Sequence, residues 1–556
     1  HELLRLKTGL SLARSLGLRT HAGHGLALSL NLPECGPRPV GPSSTAIAAA
    51  QSAAIVVDYP LNGSVFPPDI AAPTIIWRDT AARFWRIDIA FADGEPAIQA
   101  TSKGERMKIG EIDPRCVAAS NEVPKLTPQQ TASWIWKPDE TTWSNIKKHA
   151  AATLTITGFA TADSKSPVSR GSINLSISKD PVGAPIFYRD VPLMPAETEK
   201  GVIKPLDRSK LPLIAWRLKN IAEPGSKLLL TGMYTCANCH SFSQDGKTMG
   251  MDLDGPKNDK GMYALKPVSK EITIAPNDVI EWRNSAGKIN GEVRVGFMSQ
   301  VSPNGKYVVT MVQGLQKDQK GTLNNFYAAN FKDYRFLQVF FPTRGILAWY
   351  SKETGELRPI PGADDPRYVH TNAVWSPDGN YIVFARAAAR DAYPDDYKEA
   401  RRANDPNETQ IQYDLYRIPF NGGKGGTAER ISGALQNGVS NSFPKVSPNG
   451  RWIVYVQARN AQLMRPDGKL HIVPFQGGES RALKGNTPLM NSWHSFSPNG
   501  RWLVFSSKSR GPYTKMFLTH IDEDGNSSPA ILIDNATAAN RAVNIPEFVN
   551  IAPDAL

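Results

Sequence analysis

Cysteine is scarce: four in 556 residues. That excludes a disulfide-rich scaffold, and it excludes a zinc site of two cysteine pairs, because only Cys236 and Cys239 stand close together. The other two, Cys35 and Cys116, could bridge in an oxidising compartment. No run of about 18 apolar residues occurs, so no helical membrane span is expected. The basic excess, 64 Lys and Arg over 52 Asp and Glu, is spread along the chain. Without a basic stripe interleaved with aromatics, nucleic acid is not an expected partner. Catalytic signatures are missing too. Gly246-Lys247-Thr248 resembles the end of a phosphate loop, but Ser241 stands where its leading Gly belongs. There is no HExxH and no GxSxG. Asp252, Asp254 and Asp259 lack the spacing of a calcium loop and read as a solvated turn.

What is abundant is Gly (44) and Pro (43), the punctuation of an all-β chain. Residues 1–53 read as a leader or disordered extension. Arg5, Lys7, Arg14 and Arg19 flank short Leu-rich pieces, and Leu32-Pro33-Glu34-Cys35 is a poor lipoprotein box. From 54 to 185 the pattern alternates with period two, as in Trp85-Arg86-Ile87-Asp88-Ile89 and Thr153-Leu154-Thr155-Ile156-Thr157. Each such strand has one buried and one wet face, and several together predict a β-sandwich with Trp77, Trp85, Trp136 and Trp143 in its core. This region resembles an immunoglobulin- or fibronectin-like module in architecture.

The remainder, 186–556, contains an internal repeat. Ser302-Pro303-Asn304-Gly305-Lys306-Tyr307-Val308-Val309 recurs at Ser376, at Ser447 and at Ser497, each time as a Pro-Asx-Gly turn followed by an apolar strand. A degenerate copy begins at Ser243. Units of this length built from short strands predict propeller blades. The repeats resemble the TolB-like, WD40-like propeller family, which implies a scaffold but no single function. Five copies are counted. A sixth blade is expected from Asn544-Ile545-Pro546-Glu547-Phe548-Val549 pairing with strands drawn from 186–230, which gives about six blades, with seven as the alternative.

One motif carries chemistry. Cys236-Ala237-Asn238-Cys239-His240 has the spacing of covalent haem c attachment: two thiols for two vinyl groups, and an imidazole for the iron. It lies inside the first repeat, since His240-Ser241-Phe242-Ser243 matches His494-Ser495-Phe496-Ser497. Met249 and Met251, placed across the hairpin from Ser241 and Cys239, are too close to reach the opposite haem face. Met298, four residues before Ser302 as Cys239 is four before Ser243, is the first candidate for the distal iron ligand. His370 and His494 follow. The aromatic stretch from Phe326 to Phe341 reads as a packed loop or a lid. The expected protein is a periplasmic or extracellular monohaem electron carrier with a redox protein partner. The alternatives are a binding propeller with a structural or sensory haem, and a haem enzyme with an open iron.

Overall fold

The computed structural model describes residues 53–117, 123–192, 212–233, 237–254, 261–285, 293–314, 325–332, 336, 338–393, 402–435 and 437–556. Residues 54–177 form two facing sheets. One runs Ala53–Ala54, Ser169–Ile177, Ala151–Phe159, Phe84–Phe91, Ile98–Ser102, with Ser64–Phe66 also alongside Ser169–Ile177. The other runs Val56–Tyr59, Ile75–Arg78, Ser133–Trp136, Glu105–Arg106. The alternation works as expected. In Phe84–Phe91, Trp85, Ile87, Ile89 and Phe91 point inward. Trp77 and Trp85 meet edge to face at 5.6 Å across the two sheets. Each such ring removes roughly 150–250 Å² from water, worth about 4–6 kcal/mol before entropy. Trp143 is buried too, but from a short helix, Glu140–Ile146, started by Asp139 accepting from the Thr142 amide at 2.7 Å.

Six four-stranded sheets follow. Five begin with an inner strand: His240–Phe242, Val293–Val301, Tyr368–Trp375, Ser440–Val446 and Asn491–Phe496. The sixth is mixed. Arg541–Phe548 takes the inner place beside Ile186–Pro192, Ala215–Lys219 and Lys227–Thr231, so the two ends of the domain pair and leave no open edge there. The repeated turn has a physical cause. In every copy the Ser hydroxyl donates to the Asx side chain two residues on, at 2.5–2.7 Å. The same oxygen accepts the amide five residues on, at 2.9–3.0 Å. The Gly then sits at φ 68–72°, which a side chain resists.

The sandwich and the propeller share a core. One cluster joins Ile55, Phe66 and Ile177 to Trp502, Val504, Leu518, Val543 and Phe548. Arg541, 4% exposed at the start of the closing strand, binds Asp190 at 2.7 Å within its own blade and Asp113 of the sandwich region at 3.0 Å. Asn540 exchanges two hydrogen bonds with the Asp113 backbone. The last sandwich strand ends at Ile177 and the first blade strand starts at Ile186, yet packing does not divide between them.

Candidate haem site

A second repeated device lies on the inner strands. Met298, Asn372, Phe443, Trp493 and Ile545 all have left-handed backbones, φ 47–54°. Each sits at a β-bulge. Bulges re-aim a side chain, and non-glycine residues rarely hold this conformation. Here they break the regular alternation at one residue per blade. The Asn372 amide donates to the Met298 sulfur at 2.6 Å, and its oxygen accepts the Phe443 amide at 3.1 Å, linking three successive blades. Met298, Trp493 and Ile545 belong to one core cluster, and Cys239 and Phe443 pack against it. Just below, Lys445 of the fourth blade bonds Glu547 of the closing strand at 2.8 and 3.0 Å, spanning the fifth blade between them.

Cys239 holds the matching position of the first blade, four residues before Ser243. Its carbonyl accepts the Asp252 amide at 2.9 Å. Cys236 lies outside the described residues. His240 opens the inner strand opposite Met251, and Phe242 faces Met249, so both methionines stand one residue along from the register expected. His240 is 1% exposed and turned toward the closing blade, edge-on to Phe187 at 4.7 Å. Burial, with help from the Lys445 charge, pushes its pKa down to about 3, although the Asn238 and Ile545 backbones favour the proton. The ring is therefore neutral at physiological pH. Its Nδ1 lies 3.2 Å from the Asn238 carbonyl, which can only accept, so Nδ1 carries the hydrogen. Nε2 is buried and makes no hydrogen bond of good geometry, with the Ile545 backbone of the closing blade as its neighbour. A neutral imidazole with Nδ1–H on a carbonyl is a form that ligates a metal, and His370, with Nδ1 at the Gly345 carbonyl and its own Nε2 unpartnered, has the same form.

His494 shows what the same position does without a cysteine pair. It too is buried, with a pKa pushed down to about 3 by burial. Its Nε2, however, donates to the Val454 carbonyl of the neighbouring blade at 2.9 Å, and Nδ1 is the orphan. That engagement turns the ring toward the fourth blade.

The other candidates go elsewhere. Met298 is engaged with Asn372 on the side of the third blade, while His240 faces the closing blade. His370, fully buried, points Nδ1 at the Gly345 carbonyl at 3.3 Å and packs on Phe384, at the seam of the second and third blades. Neither is brought to His240. Asp252 and Asp254 are not a solvated turn. They are 1% and 6% exposed, and Asp252 accepts the Ser299 amide and hydroxyl at 3.1 and 2.6 Å. Asp259 lies outside the described residues. So does Cys35, while Cys116 is buried with its sulfur 3.2 Å from Arg541 Nη1. Among the described residues no group of three or more His, Cys, Asp or Glu gathers to hold a bare metal ion.

The aromatic stretch is a hairpin, Phe326–Phe331 with Gln338–Pro342, joined in parallel by Arg402–Ala403 from the third blade. It leaves the second blade at the end opposite the Ser-Pro-Asn-Gly turn, the end at which inner strands enter and Cys239 lies. Phe326 and Phe340 stack at 4.6 Å, and both meet Phe297 at 5.4 Å. Gln462 ties the Phe340 carbonyl to Asn372, at 3.1 and 2.9 Å. The hairpin is thus fixed against the inner strands of the second and third blades. The bulge ring and the Lys445–Glu547 bridge were the features that sequence reading missed.

No family model matches the chain. No curated protein matches it either. Among solved structures it is similar to TolB from Acinetobacter baumannii, at 14% identity over 72% of this chain and 80% of that one, TM-score 0.38. It is also similar to Kuenenia stuttgartiensis hydrazine synthase, at 12% identity over 67% of this chain and 48% of that one, TM-score 0.37. A third likeness is to a periplasmic gluconolactonase of Pseudomonas aeruginosa, at 11% identity over 65% and 99%, TM-score 0.31. No helix among the described residues is long and apolar enough to cross a membrane. By its own sheets, the chain is a β-sandwich joined to a β-propeller.

Proposed function

We propose that this chain is an extracytoplasmic monohaem c-type protein that passes electrons to or from a docked protein partner. Its haem is carried by Cys236 and Cys239 and ligated by His240. The reading rests on one observation: the cysteine pair is followed directly by a histidine that is buried and held neutral, with its Nδ1 on the Asn238 carbonyl. Bound haem would supply one-electron chemistry. The chain's own contribution is to hold His240 neutral, fix its tautomer through the Asn238 carbonyl, and exclude water with Phe187 and Phe242. We read the propeller as TolB-like and the N-terminal sandwich as immunoglobulin-like, the repeats and the strand alternation being the support. Periplasmic or extracellular placement follows from haem c attachment, and the net charge of +12 suits an acidic redox partner whose binding weakens with salt.

The test is production in a host that attaches haem c, followed by acid–acetone extraction. Haem should stay with the polypeptide, and Cys236→Ser with Cys239→Ser should abolish covalent haem altogether. Haem that leaves the native protein on extraction would sink the assignment. An oxidised and reduced absorption spectrum then separates a six-coordinate carrier from an open iron.

A further inference from the structure

We infer that the cleft between the sandwich and the fifth and closing blades binds an amphiphile, a small anionic head on an apolar tail. No residue of the CxxCH motif lines it, and nothing in the inference depends on haem. The cleft encloses about 2030 Å³. A drug-sized ligand needs about 300–1,000 Å³, so an extended molecule has room. The two walls differ in chemistry. The sandwich side presents Leu61, Met107, Ile109, Val123 and Leu126. Leu61 is 51% exposed and Val123 41%, two of the five large apolar side chains left exposed among the described residues. Apolar groups gathered in one recess mark a surface that a ligand covers.

The propeller side is cationic. Eight Lys and Arg line the cleft against five Asp and Glu. Three of those carboxylates are already engaged: Asp58 by Arg78, Asp113 by Arg115 and Arg541, and Asp190 by Arg217 and Arg541. Lys515 donates to the Ala538, Ala539 and Arg541 carbonyls at 3.2–3.4 Å and makes no ion pair among the described residues. Burial pushes its pKa down to about 8, against the pull of Asp190. Arg510 lies over the Tyr59 ring at 5.5 Å, and its guanidinium makes no hydrogen bond or ion pair among the described residues. Burial raises the pKa of Asp534, the carboxylate whose field Arg510 feels. A guanidinium fork matches a pair of anionic oxygens, and a half-buried ammonium held only by carbonyl dipoles gains from an anion beside it. The head therefore belongs at Arg510 and Lys515, with the tail along the opposite wall.

The test is calorimetric titration of the full chain with decanoate and, separately, with decan-1-ol, which has the same tail length and no charge. Decanoate should bind at one site, about tenfold more tightly than the alcohol, the scale of one charge-assisted hydrogen bond. Arg510→Gln should remove that preference, weakening decanoate about tenfold and leaving the alcohol as it was. Leu61→Asp should weaken both. Lys306→Gln, in the second blade's repeat turn and outside the cleft, should change neither. Neither Arg510 nor Leu61 is buried, and a thermal melt checks that each variant is folded. Equal affinity for the acid and the alcohol would overturn the anionic head. Decanoate binding untouched by both Arg510→Gln and Leu61→Asp would overturn the cleft as its site. No binding of decanoate would overturn the inference outright, and a chain without covalent haem would leave it standing.

Discussion

The first and fifth blades both carry His-Ser-Phe-Ser where the inner strand runs into its turn, and put it to different use. In the fifth blade, the hydroxyl of Ser495 accepts the Phe548 amide at 3.2 Å, and His494 reaches across to Val454. In the first blade, Ser241 accepts the Val301 amide at 3.0 Å in the same way, and His240 sets Nδ1 against its own Asn238 carbonyl at 3.2 Å beside the Ile545 backbone of the closing blade. The serines show that the two blades are built alike. The histidines engage different nitrogens, Nε2 on a neighbouring blade in His494 and Nδ1 on its own blade in His240. The neighbour before each differs as well, Trp493 in one and Cys239 in the other.

The harshest way to break this comparison removes the strand that both histidines lean near. Deleting residues 540–556 takes away Arg541–Phe548, the ion pairs of Arg541 and the Lys445–Glu547 bridge. An open ring with a bare inner edge should lose cooperative folding. A thermal melt that keeps the wild-type midpoint would refute the closing role of the strand. A gentler cut is His494→Ala. It leaves the Val454 carbonyl buried without its partner and should cost about 1–3 kcal/mol, while covalent haem and its spectrum stay as they were. His240→Ala should do the reverse, changing the spectrum at a smaller cost in stability. Equal losses of stability in denaturant titrations would mean the two histidines share one structural role. The smallest effect is the pH profile. The unfolded His494 binds a proton below about pH 6.5 and the folded one not until about pH 3. Its contribution is therefore fully present above pH 6.5 and is lost as pH falls toward 3, by up to about 1.4 kcal/mol per pH unit. His494→Gln should make the profile between pH 6 and 4 shallower by about one proton. An unchanged slope there would place the titration elsewhere.

Much of the fold was legible because its cause is local. A Ser, an Asx and a Gly at fixed offsets make the same turn wherever they fall, since the hydroxyl and the Asx oxygen satisfy the nearby amides and only Gly relaxes at positive φ. Five such turns, period-two alternation before them and a leftover inner strand at the end were enough to predict blades and a ring closed by joining both ends of the domain. The CxxCH motif was legible for the same reason. CxxCH is defined by spacing along the chain, not by anything distant.

What lay beyond the sequence involves contacts between segments far apart in it. Met298 was placed correctly as the repeat partner of Cys239, but the repeat says only that the two are equivalent. Equivalent residues in adjacent blades point at a common axis, not at each other's neighbours, and Met298 finds Asn372. His370 and His494 look alike as residues, and only the carbonyls opposite them decide which nitrogen is engaged. Asp252 and Asp254 read as wet because Asp is polar, yet one is buried by a serine 47 positions away. The left-handed bulges left no mark at all, since Met, Asn, Phe, Trp and Ile share no local preference for that conformation. The sequence by itself determined the turns, the strands, the closed ring and the cysteine spacing, because these follow from bonds between near neighbours. Tertiary structure alone decided which residues adopt the left-handed bulge and which nitrogen of each buried histidine is engaged, because both depend on what surrounds them in the fold.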